Sequence, residues 1–148
     1  MRKIVIVMFV ILSLLLFALT SYAPAQGRTP APDFVINCAD NTLSAPAGTR
    51  VTFELSLTPV NDFDGTAEIT CATAGVGTVA CDVLPSSVIF GDALGEGRFT
   101  VTATANSRAA LGTYSIEVTV KGTHGEPSLA SKSVSHSKML YVTVSKTP

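Results

Sequence analysis

The sequence predicts an all-β domain, a sandwich of two antiparallel sheets with about seven or eight strands. Short runs of alternating apolar and polar residues recur along the chain from Asp33 onward. Turn-forming residues separate these runs, and no long stretch has the 3.6-residue apolar period of an amphipathic helix. Because alternation leaves one face of each strand in water, we expect antiparallel sheets with one face in the core.

The chain opens with the features of a secretory signal peptide. Two basic residues precede an uncharged, almost wholly apolar stretch over 4–19. Ala23 and Ala25 then place small residues at the −3 and −1 positions of a cleavage site. We predict a signal peptide over 1–25 that is removed on export. The alternative is an uncleaved membrane anchor, for which about 16 apolar residues are short, since a bilayer core needs about 20.

A proline-rich spacer over 26–32 separates this leader from the predicted domain over 33–146. Val, Phe, Leu and Ile alternate with Thr, Ser and Glu in the strongest strand candidates, as strand propensity favours. These strong strands are predicted at 50–58, 98–105, 113–121 and 139–146. Weaker strands are predicted at 34–38, 66–73, 78–83 and 87–90.

Three cysteines, Cys38, Cys71 and Cys81, stand in the predicted domain. The runs that carry Cys71 and Cys81 flank a turn around Gly75 and Gly77, and in a hairpin the two side chains would face each other. Directly opposed residues have Cβ atoms about 4.5–5.5 Å apart, which is near disulfide range. We predict a Cys71–Cys81 disulfide that stabilises the fold by about 2–3 kcal/mol. The alternative is three reduced cysteines, two of them small core residues.

Cys38 is then the odd cysteine and is predicted to be a free thiol. In an exported protein such a residue is either buried or forms a bridge between chains. Burial is the more frequent fate of an unpaired cysteine. A disulfide-linked dimer through Cys38 is the alternative.

Five short motifs follow one another along the chain: PDF at 32–34, AGTRVTF at 47–53, LTPVNDFDG at 57–65, LPSSV at 84–88 and LGTYSI at 111–116. In this order the chain resembles the immunoglobulin-like repeats of bacterial secreted and surface proteins. The resemblance implies an immunoglobulin-like antiparallel β-sandwich used for spacing or adhesion, and no enzyme. Members with two cysteines place them where Cys71 and Cys81 stand, whereas Cys38 has no counterpart.

Tyr114 stands at the start of a strong predicted strand, just after Gly112. In immunoglobulin sandwiches a tyrosine at this corner donates a hydrogen bond to upstream backbone, so we predict a structural role for Tyr114. Ile116 occupies the place of the second cysteine of an antibody domain, and the chain has no tryptophan. The prediction is therefore an immunoglobulin-like domain that is not of the antibody type.

Candidates for catalysis are limited to two histidines, His124 and His136. His124 lies among glycines and a proline and is expected to be solvated. His136 stands between Ser133, Ser135 and Ser137, but neighbours on a strand point to opposite faces, so this adjacency does not make a nucleophile–base pair. We predict no catalytic residues, no cofactor and no enzymatic activity.

Metal binding has two candidate sets. His136, Met139 and His124 with the free thiol are soft ligands of the kind that copper prefers, but their spacing matches no structural zinc pattern. Asp62 and Asp64 lie in a turn, where they supply too few oxygens for a dedicated calcium loop. We expect the turn residues to bond their own backbone, and we predict no metal site.

Charge argues against nucleic-acid binding. The chain has 10 basic and 11 acidic residues, a net charge of −1. Removal of the leader with its two basic residues leaves eight basic residues against 11, so about −3. Phosphate backbones require a basic surface, which this composition does not supply.

The predicted function is a secreted, periplasmic or cell-surface module without catalysis, for contact with an extracellular protein or glycan or for structural spacing. Contact is expected through the loops over 91–97 and 122–132, because function concentrates on loops. The alternatives are an envelope protein tethered to the membrane by an uncleaved leader, and a small metal-carrying sandwich protein.

Overall fold

The computed structural model describes residues 30–74, 77–91, 95–125 and 132–146 of the 148-residue chain. Nine β-strands are formed within these ranges: β1 (Asp33–Cys38), β2 (Thr42–Pro46), β3 (Arg50–Val60), β4 (Gly65–Thr73), β5 (Val79–Leu84), β6 (Ser87–Phe90), β7 (Gly97–Ala105), β8 (Gly112–His124) and β9 (Lys132–Ser145). The predicted signal peptide over 1–25 lies outside the described residues. Within them, no helix is long and apolar enough to cross a membrane.

The strands form two sheets packed face to face. The four-stranded sheet has the order β1-β3-β7-β5, and the five-stranded sheet has the order β2-β9-β8-β4-β6. In the described ranges every strand pair is antiparallel except β2–β9, which is parallel. The predicted all-β immunoglobulin-like sandwich is confirmed. It differs from the prediction in having nine strands instead of about seven or eight, and in containing a parallel pair.

The parallel pair arises because the first strand of the domain is divided between the two sheets. β1 pairs with β3 until Cys38 lies opposite Leu55. The chain then crosses to the other sheet over 39–41, and β2 pairs with the end of β9 from Tyr141 to Ser145. β2 was not predicted from the sequence, because only Leu43 and Ala45 of its five residues face inward.

The first half of β9 also differs from the prediction. β8 and β9 form one ladder from Gly112–Val144 to His124–Lys132, so β9 begins seven residues before the predicted start at Met139. Its early inward positions are Val134, His136 and Lys138, which are half-buried. These side chains lie at the open side of the sandwich next to β1, where a polar residue keeps contact with water. The apolar alternation that marks a strand is therefore missing there.

The core consists of inward side chains from both sheets. No polar or charged residue is buried in the described part of the chain. Phe53, Leu57 and Val101 come from the four-stranded sheet, and Ile116 and Leu140 from the five-stranded sheet, each at most 1% exposed. Burying one such side chain stabilises the fold by roughly 1.5–3 kcal/mol, so this closed apolar interior is the main source of stability.

Three phenylalanines close one end of the core. The ring centroids of Phe34 and Phe63 are 5.3 Å apart and those of Phe63 and Phe90 are 5.7 Å apart, both edge to face. Gly122 of β8 lies against this cluster, and a Cβ atom there would stand 2.5 Å from the ring of Phe34 and 2.7 Å from the ring of Phe63. Because Gly122 has no side chain, the rings of Phe34 and Phe63 can occupy the space where its Cβ atom would lie.

We expect Gly122→Ala to lower the free energy of unfolding by about 1–3 kcal/mol, because the added methyl group overpacks the phenylalanine cluster. Urea unfolding followed by circular dichroism measures this change. Gly91→Ala is the matched control, since nothing lies within 4 Å of a Cβ atom at that position. A Gly122→Ala protein as stable as this control would contradict the packing described here.

Candidate functional site

A disulfide between Cys71 and Cys81 joins the two sheets. Cys71 lies on β4 in the five-stranded sheet and Cys81 on β5 in the four-stranded sheet, with Cα atoms 6.2 Å apart. The hairpin predicted between these two strands is wrong, because β4 pairs with β6 and β8 while β5 pairs with β7. The two cysteines meet across the sandwich interior and not along one sheet, since the connection between β4 and β5 passes from one sheet to the other.

Cys38 is the free cysteine of the described residues, at the point where β1 leaves its sheet. Its side chain is half-buried, and the Sγ–H group donates a hydrogen bond of 3.0 Å to the carbonyl oxygen of Asp40. Burial raises the pKa of the Cys38 thiol, so the reactive thiolate is disfavoured. The predicted dimer through Cys38 stays a prediction.

Both histidines lie at the phenylalanine end of the sandwich. His136 Nε2 is 2.6 Å from Asp33 Oδ1, a contact that links β9 to β1, and the His136 ring packs edge to face on Phe34 at 5.1 Å. His124 Nδ1 is 2.7 Å from the carbonyl oxygen of Asp64. In the described residues, His136 makes its hydrogen bond to Asp33 and none to the neighbouring serines, whose positions on β9 face outward.

The Asp33–His136 contact was not foreseen from the sequence, because 103 residues separate the two partners. The hydrogen bond from His136, together with one of 2.8 Å from the backbone N–H of Phe34, holds the pKa of the Asp33 carboxyl below its ordinary value. The side chains of Asp33 and His136 are 38% and 42% exposed, so water screens the interaction between these two residues. The contact therefore fastens the start of the domain to β9 without being deeply buried.

The turn that contains Asp62 and Asp64 positions a residue of the core. Asn61 and Asp62 have φ angles of 53° and 57°, a left-handed turn that carries Phe63 into the core. The Asn61 side chain donates a hydrogen bond of 3.0 Å to the carbonyl oxygen of Ala31 in the spacer. In the part of the chain that the structure describes, no three His, Cys, Asp or Glu residues gather as metal ligands.

Tyr114 is the third residue of β8, next to the corner that leads into this strand. Its hydroxyl donates a hydrogen bond of 2.8 Å to the carbonyl oxygen of Ala110, four residues upstream. This is the tyrosine-corner geometry of immunoglobulin-like sandwiches. The contact gives Tyr114 a structural place in the fold.

A groove of about 620 Å³ crosses the outer face of the four-stranded sheet. Strand register arranges its side chains in two rows. One row runs across Asn37, Ser56 and Arg98. The other runs across Glu54, Thr100 and Leu84. Adjacent strands are about 4.8 Å apart and same-face residues along a strand about 7 Å apart, so each row is about 10 Å long and the rows are about 7 Å apart.

Most polar groups around the groove already have partners. Arg98 lies 3.4 Å from the carboxylate of Glu96, and a hydrogen bond from Ser56 with the nearby Arg98 charge lowers the pKa of Glu96. The Thr100 hydroxyl donates a hydrogen bond of 3.2 Å to the carbonyl oxygen of Leu84. Glu54 takes part in none of the ion pairs of the described residues. The groove therefore carries one carboxylate that makes no ion pair within the described residues.

The groove residues were not singled out from the sequence. Glu54, Ser56, Arg98 and Thr100 are outward positions of strongly alternating strands, a pattern typical of a solvated face. Only the register of β1, β3, β7 and β5 brings them together, and no spacing along the chain signals it. The predicted contact loops over 91–97 and 122–132 lie partly outside the described residues.

No family model and no curated protein matches the chain. Among solved structures it is similar to domains 4 and 5 of the S-layer protein SbsC, with 19% identity and a TM-score of 0.52 over 77% of this chain and 53% of that chain. Domains 1–6 of the same surface-layer protein give 21% identity and a TM-score of 0.52 over 80% of this chain and 14% of that chain. PapD-like domain 7 of human CEP192 gives 12% identity and a TM-score of 0.53 over 76% of this chain and 87% of that chain.

These comparisons show the fold. At such low identities they support a two-sheet sandwich with S-layer and PapD-like domains as structural neighbours. The chain spans about half or less of the S-layer structures that it matches.

We expect replacement of both Cys71 and Cys81 by alanine to lower the free energy of unfolding by about 2–3 kcal/mol, because the bridge closes a loop between residues 10 positions apart. Reductant should lower the melting temperature of the unchanged protein and leave the double variant unaffected. Cys38→Ser, the control, should keep the full response to reductant. A melting temperature that reductant does not change would contradict the bridge.

We expect Asp33→Asn to lower stability at neutral pH by at most about 1 kcal/mol, the range of exposed pairs. The Asp33 pKa is lowered in the folded state, so its contribution is present above the ordinary aspartate pKa of about 3.9 and is lost as the pH falls through the lower folded value. The melting curves of the two proteins should therefore converge in acid. Asp82→Asn on the exposed side of β5 is the control, and a pH-independent difference for Asp33→Asn would contradict the contact.

Proposed function

We propose that the chain is an extracellular, non-catalytic immunoglobulin-like module of a cell surface, secreted or periplasmic, that acts by contact or structural spacing. The observation that carries this proposal is the disulfide between the sheets. Disulfides persist in oxidising compartments and are rare in the cytosol, so a bridge across the core fits a protein that works after export. The signal-peptide pattern over 1–25 supports the same location.

Likeness to S-layer domains supports a surface role. SbsC is a surface-layer protein whose solved structures contain two domains in one case and six in another. A sandwich with a closed apolar core and tied sheets is a rigid unit, and rigidity suits a spacer or a platform for contact. The bacterial immunoglobulin-like repeats that the sequence motifs resemble belong to the same kind of setting.

The surroundings of the histidines support the absence of catalysis. A nucleophile needs a base in contact with it. His136 is held by Asp33 and His124 by the backbone of Asp64, while the serines that flank His136 in sequence face the outer side of the sheet. Each histidine thus has a hydrogen-bond partner that holds it at the end of the sandwich closed by the three phenylalanines.

Intact mass and thiol labelling of the exported protein test the proposal. We expect a chain that starts at Gln26, with one thiol alkylated before reduction and three after it, since Cys38 is free and Cys71 is bonded to Cys81. A membrane-impermeant thiol or amine reagent should label the protein on intact cells or after release of the periplasm. Cys38→Ser is the control for the thiol reagent and should take no thiol label before reduction.

The other outcomes are also informative. A mass that retains Met1 would favour the alternative of a membrane-tethered envelope protein. Three thiols labelled without reduction, or a protein confined to the cytosol, would contradict the proposal.

A further inference from the structure

The groove on the outer face of the four-stranded sheet combines Glu54, a carboxylate outside the ion pairs of the described residues, with the exposed aliphatic side chain of Leu84. We propose that it binds an extended segment of a partner protein that presents a lysine or arginine side chain near an aliphatic one. This inference rests on the proposed function, because it names the partner chemistry of the contact role.

Charge is the first step of the argument. The groove holds two carboxylates, Glu54 and Glu96, against one guanidinium, Arg98. Arg98 forms its ion pair with Glu96 at 3.4 Å, and Glu54 is in neither ion pair of the described residues, so the groove lining has a net negative charge. Ser56 lies on the same face as Glu54, about 7 Å along β3, and directly opposite Arg98. Because Arg98 is opposite Ser56, the favourable place for a cation is over Glu54, whose partner on β7 is the uncharged Thr100, and an anion there would be repelled.

The apolar end of the groove is the second step. Leu84 is the last residue of β5 and is 75% exposed, a large fraction for an aliphatic side chain on a sheet. It lies one strand beyond Thr100 and two strands, about 10 Å, from Glu54. Burial of Leu84 by a partner side chain gains apolar contact area. The cationic and aliphatic groups of the partner must then be about 10 Å apart. Two nearby residues of an extended peptide can place their side chains at this distance.

Size and lining favour a peptide over the other ligands. A volume of about 620 Å³ lies in the roughly 300–1,000 Å³ range of ligand clefts, enough for a few side chains and too small for a folded domain. Phe99 is the aromatic residue of the lining and is 2% exposed, so its ring is not available for stacking on a sugar. The Thr100 hydroxyl lies between Glu54 and Leu84, and the polar groups of Asn37 and Ser56 line the adjacent row, so peptide backbone would pass over polar side chains.

NMR titration of the whole exported protein tests the proposal with a defined probe, the acetylated and amidated tripeptide Lys-Thr-Leu at low salt. We expect saturable shifts confined to the groove, at 37–39, 54–56, 84 and 98–100. The same peptide with acetyl-lysine, which has no charge, should bind more weakly. Glu54→Gln should raise the dissociation constant about two- to fivefold, the range of exposed ion pairs.

Glu117→Gln is the matched control, because Glu117 is an exposed glutamate on the outer face of the five-stranded sheet. It should leave binding unchanged, and equal melting temperatures of the two variants would show that both are folded. Equal binding of the acetyl-lysine peptide, shifts outside the groove, or no effect of Glu54→Gln would each overturn the proposal. So would a neutral oligosaccharide that shifts the same groove signals at lower concentration. Export and the thiol pattern do not depend on Glu54, so failure here leaves the proposed function standing.

Discussion

The apolar interior between the two sheets is the constraint on which the other features depend. Each sheet offers one face that is apolar in its centre, and no polar or charged residue is buried in the described part of the chain. Every hydrogen-bonding side chain must therefore lie on an outer face, at the ends or along the open side. The Cys71–Cys81 bridge joins the sheets at one place, and the cluster of Phe34, Phe63 and Phe90 closes one end.

Division of the first strand between the sheets explains where the polar contacts collect. β1 covers β3 only as far as Leu55, and β2 covers β9 only from Tyr141 onward. Along the open side that remains, inward positions of β9 can hold polar residues such as His136, which meets Asp33 there. Cys38 lies at the crossover itself, so it is half-buried and also borders the groove on the outer face.

Alternation was sufficient to predict the strands and the sandwich, because each strand has one face in the core. It could not assign β5 to a sheet, since Val79 faces the core from the four-stranded sheet and would do so equally from the other. It missed β2, which has too few inward residues to show a period. The prediction of the Cys71–Cys81 pair rested on a hairpin that does not exist, and the two residues meet across the core instead. The groove depends on register alone, so no sequence signal pointed to Glu54.

Both outer faces carry cross-strand hydroxyl pairs and exposed apolar side chains. On the five-stranded sheet, hydroxyls satisfy one another across the strands, as in Thr113 with Thr143 at 3.1 Å and Thr119 with Ser137 at 3.2 Å. On the four-stranded sheet the hydroxyls of Thr52 and Thr102 pair in the same way at 3.3 Å, while Glu54 takes part in neither ion pair of the described residues and Leu84 is exposed at the edge. Glu54 and Leu84 both line the groove of about 620 Å³, so one ligand in this cleft can contact both side chains. The proposed recognition therefore rests on the groove of the four-stranded sheet.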